Sequence, residues 1–571
     1  MIHKVFSDNK QFREVNFSEG LNIVLGVKTE TSNDTDTMNG VGKTTLLEVI
    51  DFCFGSNIDK NSYLKKIKEI EDWNFSIDID IFNSRYIISR SIKKQNKIYI
   101  DGDINNLTFK PNKDDKGYYF KLKDWRNYLG VYFFGLDDYS FAFMPTFRSL
   151  MSYFIRKHTD SYNVAFEHHK KQMNWDVQVN TAFLIGLNWK IPSQFQSIRQ
   201  EFKSLKKDLK KFDKSTLGEI ETKKINLEND LNKKNERLST FNVHENYAEI
   251  ENQANQLSNE LQHLSNTNMI LKRKLNSYND SISNEIPLND HLDEFYEEIG
   301  DVFNFESKKT LNEVRLFHNE LIKNRKSFLN VEILEIKKEI EDNEELITQK
   351  GQKRAKLMEI LETHNALEEF KLLQHEIYDE KIEVDNLRKS IDDYHEVKNL
   401  EKKLNKEKNI LKEKNERDYE VMRSSWQESI ELFNENTRFL YGLNGELIID
   451  LKEAYDFKIN FPKGDSRGVS KMEIFCYDLM LLEKNSVDKN IDFLIHDSEI
   501  FSDVDSRQVA KAFQLVLKKC GENLQYIVTL NSDELDKIKQ ELPNDFDLDK
   551  YIKLKLSDNV DEKHLLGFVF D

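Results

Sequence analysis

Two kinds of hydrophobic pattern divide this chain. Near both ends, short apolar runs and alternating segments predict strands. Between them, apolar residues recur every three or four positions for some two hundred residues. From Met1 to about Ile191 the reading is mixed α/β: Val5, Phe12, Val15 and the run Leu21–Leu25 suggest early strands, and Trp73–Ile81, Arg85–Ser91 and Lys97–Ile100 add three more. FRSLMSYFIRK, Phe147–Lys157, has helical spacing; its Arg148 and Arg156 could face phosphates, or be plain surface arginines. From about Trp426 the α/β pattern returns. Glu446–Leu451 and Asp456–Phe461 read as a hairpin, Ile491–Ile495 as a buried strand ending in His496-Asp497, Ser506–Lys519 as a helix and Gln525–Leu530 as a strand.

The middle reads as coiled coil. Only Pro287 lies between Pro192 and Pro462, and glycine is nearly absent, so long helices are uninterrupted. Leu217, Ile220, Leu227, Leu231 and Leu238 form one stripe, Ile250 to Tyr278 a second, and Leu373 to Tyr394 a third, with Lys224, Lys234 and Asn268 as polar seam positions. The pattern breaks at Ser281–Asp290 and resumes near Lys308. An antiparallel hairpin is expected, its outgoing arm on the order of 120 Å long at the helical rise per residue. Two separate helical bundles are the alternative. The expected domains are 1–194, an α/β half; 195–425, the hairpin with its turn near 281–307; and 426–571, a second α/β half. No Cys-x-x-Cys stands near the turn, which excludes a zinc-clasped apex.

Composition narrows the classes. A length of 571 residues exceeds one core, so two or three domains are expected. The net charge of −17 means that any DNA contact needs a local basic patch. Cys53, Cys476 and Cys520 show neither disulfide nor metal spacing, which fits a reducing compartment. No apolar run approaches the roughly 20 residues of a membrane helix, and the N-terminus lacks the apolar core of a signal peptide; a cytoplasmic protein without membrane partners is expected.

The chemistry concentrates at Met38–Gly55, MNGVGKTTLLEVIDFCFG. A buried strand, a glycine-rich turn, Lys-Thr and a helix make a phosphate-binding loop. Gly40 and Gly42 let backbone N–H groups turn toward an anion at a helix N-terminus, flanked by Asn39 and Thr45. Lys43 reaches the outer phosphates, and Thr44 holds Mg²⁺. Thr37 stands where the first glycine is usual, and a polar insertion, Val27–Asp36, delays the loop. A carboxylate at the end of a neighbouring strand should complete the metal site; DFLIHD supplies Asp497. ATP and Mg²⁺ are the expected ligands.

DSRGVSKMEIFCYDLMLLE, with Ser466, Gly468 and Ser470 before an apolar helix, resembles the signature loop of ABC ATPases, with Arg467 and Val469 replacing two of its residues; a plain N-capped helix is the alternative. Ser502-Asp503-Val504-Asp505 is similar to the loop that crosses the ABC dimer seam. Together with the head–hairpin–head order, these motifs resemble the SMC-like ABC ATPases: an α/β head assembled from both ends of the chain, with an inserted coiled-coil hairpin. NGVGKTTLLEVIDFCFG, FLIHDSEIFSDVDSRQ and YIVTLNSDEL look closest to a bacterial branch of unknown function found in ABC-three-component systems of antiphage defence. The resemblance implies a head-to-head homodimer, a small companion subunit, a separate effector and a DNA ligand. It also marks two departures. Ser498 stands where the water-activating glutamate usually follows Asp497, leaving Glu499 one position late, and Asn531 stands where a switch histidine is usual. Slow, partner-regulated hydrolysis follows, with an ATP-dependent assembly scaffold as the alternative.

Overall fold

The computed structural model describes residues 1–27, 41–58, 62–137, 141–210, 217–240, 245–284, 311–361, 366–461, 466–521, 523–543, 546–557 and 564–568. Contacts divide the chain into two compact units: Met1–Ser197 with Lys408–Asp571, and Ile198–Asn289 with Asn312–Glu407. The tail of the long returning helix, from Lys408, therefore belongs to the first unit.

In chain order the first half supplies β1 (Ile2–Ser7), β2 (Val15–Asn16), β3 (Gly20–Val27), α1 (Lys43–Cys53), α2 (Tyr63–Lys66), β4 (Asn74–Ile81), β5 (Ser84–Ser91), β6 (Lys97–Asp101), β7 (Asn112–Asp114), β8 (Gly117–Lys121), α3 (Leu122–Phe134), α4 (Phe147–Met151), β9 (Ile155–Arg156), α5 (Asn174–Leu184) and α6 (Lys190–Leu209). Seven of these strands form an antiparallel sheet in the order β2-β1-β4-β5-β6-β8-β7. The helix expected over Phe147–Lys157 stops at Met151, and Ile155–Arg156 joins a sheet instead, paired with residues far along the chain. Periodicity over eleven residues could not register that distant partner.

The second unit holds α7 (Leu217–Ser239), α8 (Glu245–Asn284), α9 (Leu311–Leu361) and the start of α10 (Ala366–Val421). α7 runs antiparallel to α10, with Lys223 on Glu383 at 2.6 Å and Lys234 on Glu376 at 2.7 Å. α8 runs antiparallel to α9, with Lys272 on Glu344 and Lys350 on Glu260, both at 2.6 Å. That register is the one a hairpin requires. An uninterrupted outgoing arm on the order of 120 Å, as expected at the helical rise, is not formed, however. Asn255 of α8 bonds Gln374 of α10, and Asn266 bonds Asp385 at 3.3 Å. In a straight hairpin Gln374 would lie beside Lys234, about 30 Å along the helix from Asn255. One apolar cluster gathers Leu238, Ile250, Ala254, Met358, Leu361 and Phe370 from all four helices. The paired helices thus fold back on themselves between α7 and α8 and between α9 and α10. Of the turn expected near 281–307, residues 281–284 still belong to α8, and the rest lies outside the described residues.

The second half returns to the first unit with α11 (Arg423–Tyr441), β10 (Glu446–Leu451), β11 (Tyr455–Asn460), α12 (Arg467–Asp488), β12 (Phe493–His496), α13 (Ser506–Cys520), β13 (Gln525–Asn531), α14 (Ser532–Gln540) and β14 (Ile552–Ser557). A five-stranded parallel sheet, ordered β14-β3-β13-β12-β9, interleaves strands from both ends of the chain. Strands β3, β12 and β13 are buried along nearly their whole length, as parallel strands covered on both faces must be. Their apolar residues join one core with the antiparallel sheet.

Candidate functional site

The site lies beyond the carboxyl ends of three adjacent strands, β3, β13 and β12, where parallel sheets receive their ligands. β3 leads toward α1, and Gly42 caps that helix with φ of 100°. A Cβ there would also lie 2.5 Å from that of Leu565, so a side chain is excluded on both counts. Lys43 and Thr45 at the helix start are buried. Asn39 and Gly40 lie outside the described residues.

Two contacts join the start of α1 to the second half of the chain. The Thr44 hydroxyl donates to Asp497 Oδ2 at 2.7 Å. Lys43 Nζ donates to Asn531 Oδ1 at 2.6 Å. Asn531 is paired in register with Gly26, and a Cβ at Gly26 would lie 2.8 Å from Lys43 Nζ. Glycine at 26 is what lets the lysine lie across the strand ends. Burial pulls the Lys43 ammonium below its ordinary range, opposed by the carboxylates of Asp497, Glu534 and Asp533.

Asp497 is fixed from several sides. Its N–H donates to the Tyr162 hydroxyl at 2.8 Å, and Ser498 Oγ donates to its Oδ1 at 3.0 Å. Ser498 N–H donates in turn to Thr529 Oγ1 at 2.8 Å. Behind it, His496 lies between Tyr526 and Asp478, 3.0 Å from each, and Arg156 donates to Asp478 at 2.8 Å. Desolvation lowers the His496 pKa despite Asp478, which favours a neutral ring. Arg156 is therefore a core residue, and Arg148 is a buried partner of Asp51 at 2.6 Å. Neither reading made from the sequence, phosphate ligand or surface arginine, describes them.

Glu499 sits on a 3-10 turn, Ser498–Phe501, and its Oε1 accepts from Lys471 at 2.6 Å and from Ser502 at 3.1 Å. Lys471 belongs to α12, which starts at Arg467 and so already contains Gly468 and Ser470, expected before the helix; the late glutamate is tied to the helix that carries the signature-like residues. Ser466 is the N-cap of that helix, accepting from Val469 N–H at 3.4 Å. Gly468 packs on the seam-like loop: a Cβ would lie 2.2 Å from the Asp503 carbonyl oxygen. The structure thus brings together Lys43, Thr44, Asp497 and Asn531, and ties Glu499 to the Ser466–Gly468 helix. Lys471, Glu534 and Thr529 were not singled out by sequence, because their partners lie on other elements. For Glu534 a signal existed: Asn531-x-x-Glu534 is a capping-box spacing.

A hydroxyl and a carboxylate within 2.7 Å form the hard oxygen pair that Mg²⁺ prefers, and a buried ammonium beside them suits phosphate. The residues fit Mg²⁺–ATP. Among the described residues no group of three or more His, Cys, Asp or Glu side chains could hold a metal on its own. No described helix is long and apolar enough to cross a membrane.

Residues 436–570 match a family described as an uncharacterised protein conserved in bacteria (DUF2326). The uncharacterized protein YydD of Bacillus subtilis (strain 168) is 24% identical over 571 residues, covering 94% of each chain. Among solved structures, the chain is similar to an Smc head domain with a coiled coil and joint from Pyrococcus yayanosii, at 14% identity and TM-score 0.36, covering 95% of this chain and 93% of that one. It is also similar to an Smc head domain with an extended coiled coil, bound to the C-terminal domain of ScpA, from Pyrococcus furiosus: 12% identity, TM-score 0.32, with 95% and 91% covered. A structure of the recombination mediator protein RecF matches at 14% identity and TM-score 0.24, with 93% of each chain covered.

Proposed function

We propose that this chain is an SMC-like ABC-type ATPase whose single nucleotide-binding face is built from both ends of the sequence. The observation that carries the reading is the 2.7 Å contact between Thr44, after the phosphate loop, and Asp497, at the end of β12. Those two oxygens would hold Mg²⁺, which when bound neutralises phosphate charge. Lys43 would pair with the outer phosphates, with Gly42 and Thr45 at the same helix start and Asn531 steering the lysine. Ser466 and Gly468 would face the nucleotide of a second copy, closing a head-to-head homodimer. The finer reading adds DNA sensing or clamping in the cytoplasm, inside a multi-component antiphage complex with a companion subunit and an effector. It rests on the motif likeness alone.

Titration calorimetry with ATP and Mg²⁺ tests the site. Lys43→Ala should abolish binding, because it removes the buried cation that compensates phosphate charge. Binding at wild-type strength in that variant would sink the assignment.

A second reading, an assembly scaffold that binds ATP with little turnover, draws on one observation. Glu499 is held by Lys471, and Ser498 carries no carboxylate to take a proton. Measured phosphate release at the background rate, with ATP binding intact, would favour the scaffold.

A further inference from the structure

If the chain hydrolyses ATP, something must accept the proton of the attacking water. Beside Asp497, Glu499 is ion-paired with the buried Lys471. The Glu499 carboxylate accepts from Lys471 and Ser502, Ser498 Oγ donates to Asp497, and Asp497 accepts from Thr44. Asn531 is an amide without acid–base capacity. His496 lies within the core between Tyr526 and Asp478.

Another carboxylate follows the carboxyl end of the middle strand of the three. β13 lies between β3, which leads to Lys43, and β12, which carries Asp497. Its last residue, Asn531, bonds Lys43 and is also the N-cap of α14. Glu534, in the first turn of α14, closes a capping box: its Oε2 accepts from Asn531 N–H at 3.2 Å. The glutamate is thus tied to the residue that positions the phosphate-loop lysine, and Lys43 lies within electrostatic range of it. Burial is the largest influence on this carboxyl and raises its pKa. Asp533 adds to the rise, while the Asn531 N–H, Lys43 and Lys537 oppose it. A base of this kind is better matched to neutral pH than an ordinary surface glutamate.

We propose that Glu534 is the catalytic base of this ATPase, taking over the role that the residue after Asp497 does not fill. This rests on the ATPase reading given above. In the step, one water O–H bond breaks and its proton passes to the Glu534 carboxylate. The water oxygen bonds to the γ-phosphorus as the bond to the β–γ bridging oxygen breaks, giving ADP and phosphate. The proton then leaves Glu534 for solvent or product.

The capping box makes the test clean, because glutamine caps as well as glutamate. Glu534→Gln keeps the acceptor for Asn531 N–H and removes only the base. On the full chain with ATP and Mg²⁺, the variant should bind ATP as the wild type does. Its single-turnover rate should fall about 10² to 10⁴-fold. The wild-type rate should decline as pH drops through the raised carboxyl value, and the variant should lack that limb. Asp533→Asn removes the same charge from the same turn, so an equal loss there would reduce the effect to electrostatics and overturn the proposal. It is likewise overturned if the wild type turns over and Glu534→Gln stays within twofold of it, while the ATPase reading stands. A wild type that binds ATP but releases no phosphate overturns the ATPase reading itself, and the base with it.

Discussion

Burial raises the Glu473 carboxyl on α12 to about 7, from an ordinary value of 4.5. The folded state then holds a proton that the unfolded chain gives up, so stability declines as pH climbs from 4.5 to 7 and is flat above. Glu473→Gln should be more stable than the wild type by about 1–3 kcal/mol at pH 8, with the gap closing near pH 4.5. Thermal midpoints across that range check it; an equal gap at both ends would refute it. At this scale the sequence was readable where chemistry announces itself along the chain. Asp497 ends an apolar run, and Lys43-Thr44 follows glycines, so both stood out. The Lys43–Asn531 contact joins residues 488 positions apart, and no local pattern points from one to the other. Arg148 and Arg156 are buried with Asp51 and Asp478, partners that one-dimensional spacing does not reveal.

Among the elements, β4 to β6 and the β10–β11 hairpin coincide with the expected strands to within two residues, because each carries its own alternation. The coiled-coil stripes were legible in the same way. What they could not convey is which helix covers which stripe. The stripe from Leu217 to Leu238 and the one from Ile250 onward sit in different heptad frames, so spacing marks a break there, but not that the chain reverses at it. The fold-back makes a prediction that a straight hairpin does not share. Asn255→Cys with Gln374→Cys should oxidise to an intramolecular disulfide in dilute protein, seen as a mobility shift at monomer mass. The three native cysteines are buried and should not compete. Failure to cross-link, with both thiols titratable, would restore the straight arm.

For the whole molecule, the parallel sheet means that neither end of the chain could form the proposed nucleotide site alone: β3 and β9 come from one end, β12, β13 and β14 from the other. If the signature-like loop serves a second copy, a non-hydrolysable ATP analogue with Mg²⁺ should double the mass seen by light scattering. Ser466→Arg should block the doubling while leaving nucleotide binding in place. A mass that stays at one chain, with nucleotide bound, would remove the shared-site arrangement.

The same interleaving sets a timetable for biosynthesis. β3 is flanked by β13 and β14, which are made last. At ribosomal speeds of about 5–20 residues per second, on the order of a minute separates the emergence of β3 from that of its neighbours. During that interval an apolar strand waits without its hydrogen-bonding partners, while the antiparallel sheet, whose strands are close in sequence, is free to form. The nascent chain thus presents a sticky edge for as long as the helical insert is being translated. Shielding of that edge, by the early sheet or by a chaperone, is a requirement that this order of assembly imposes on the cell.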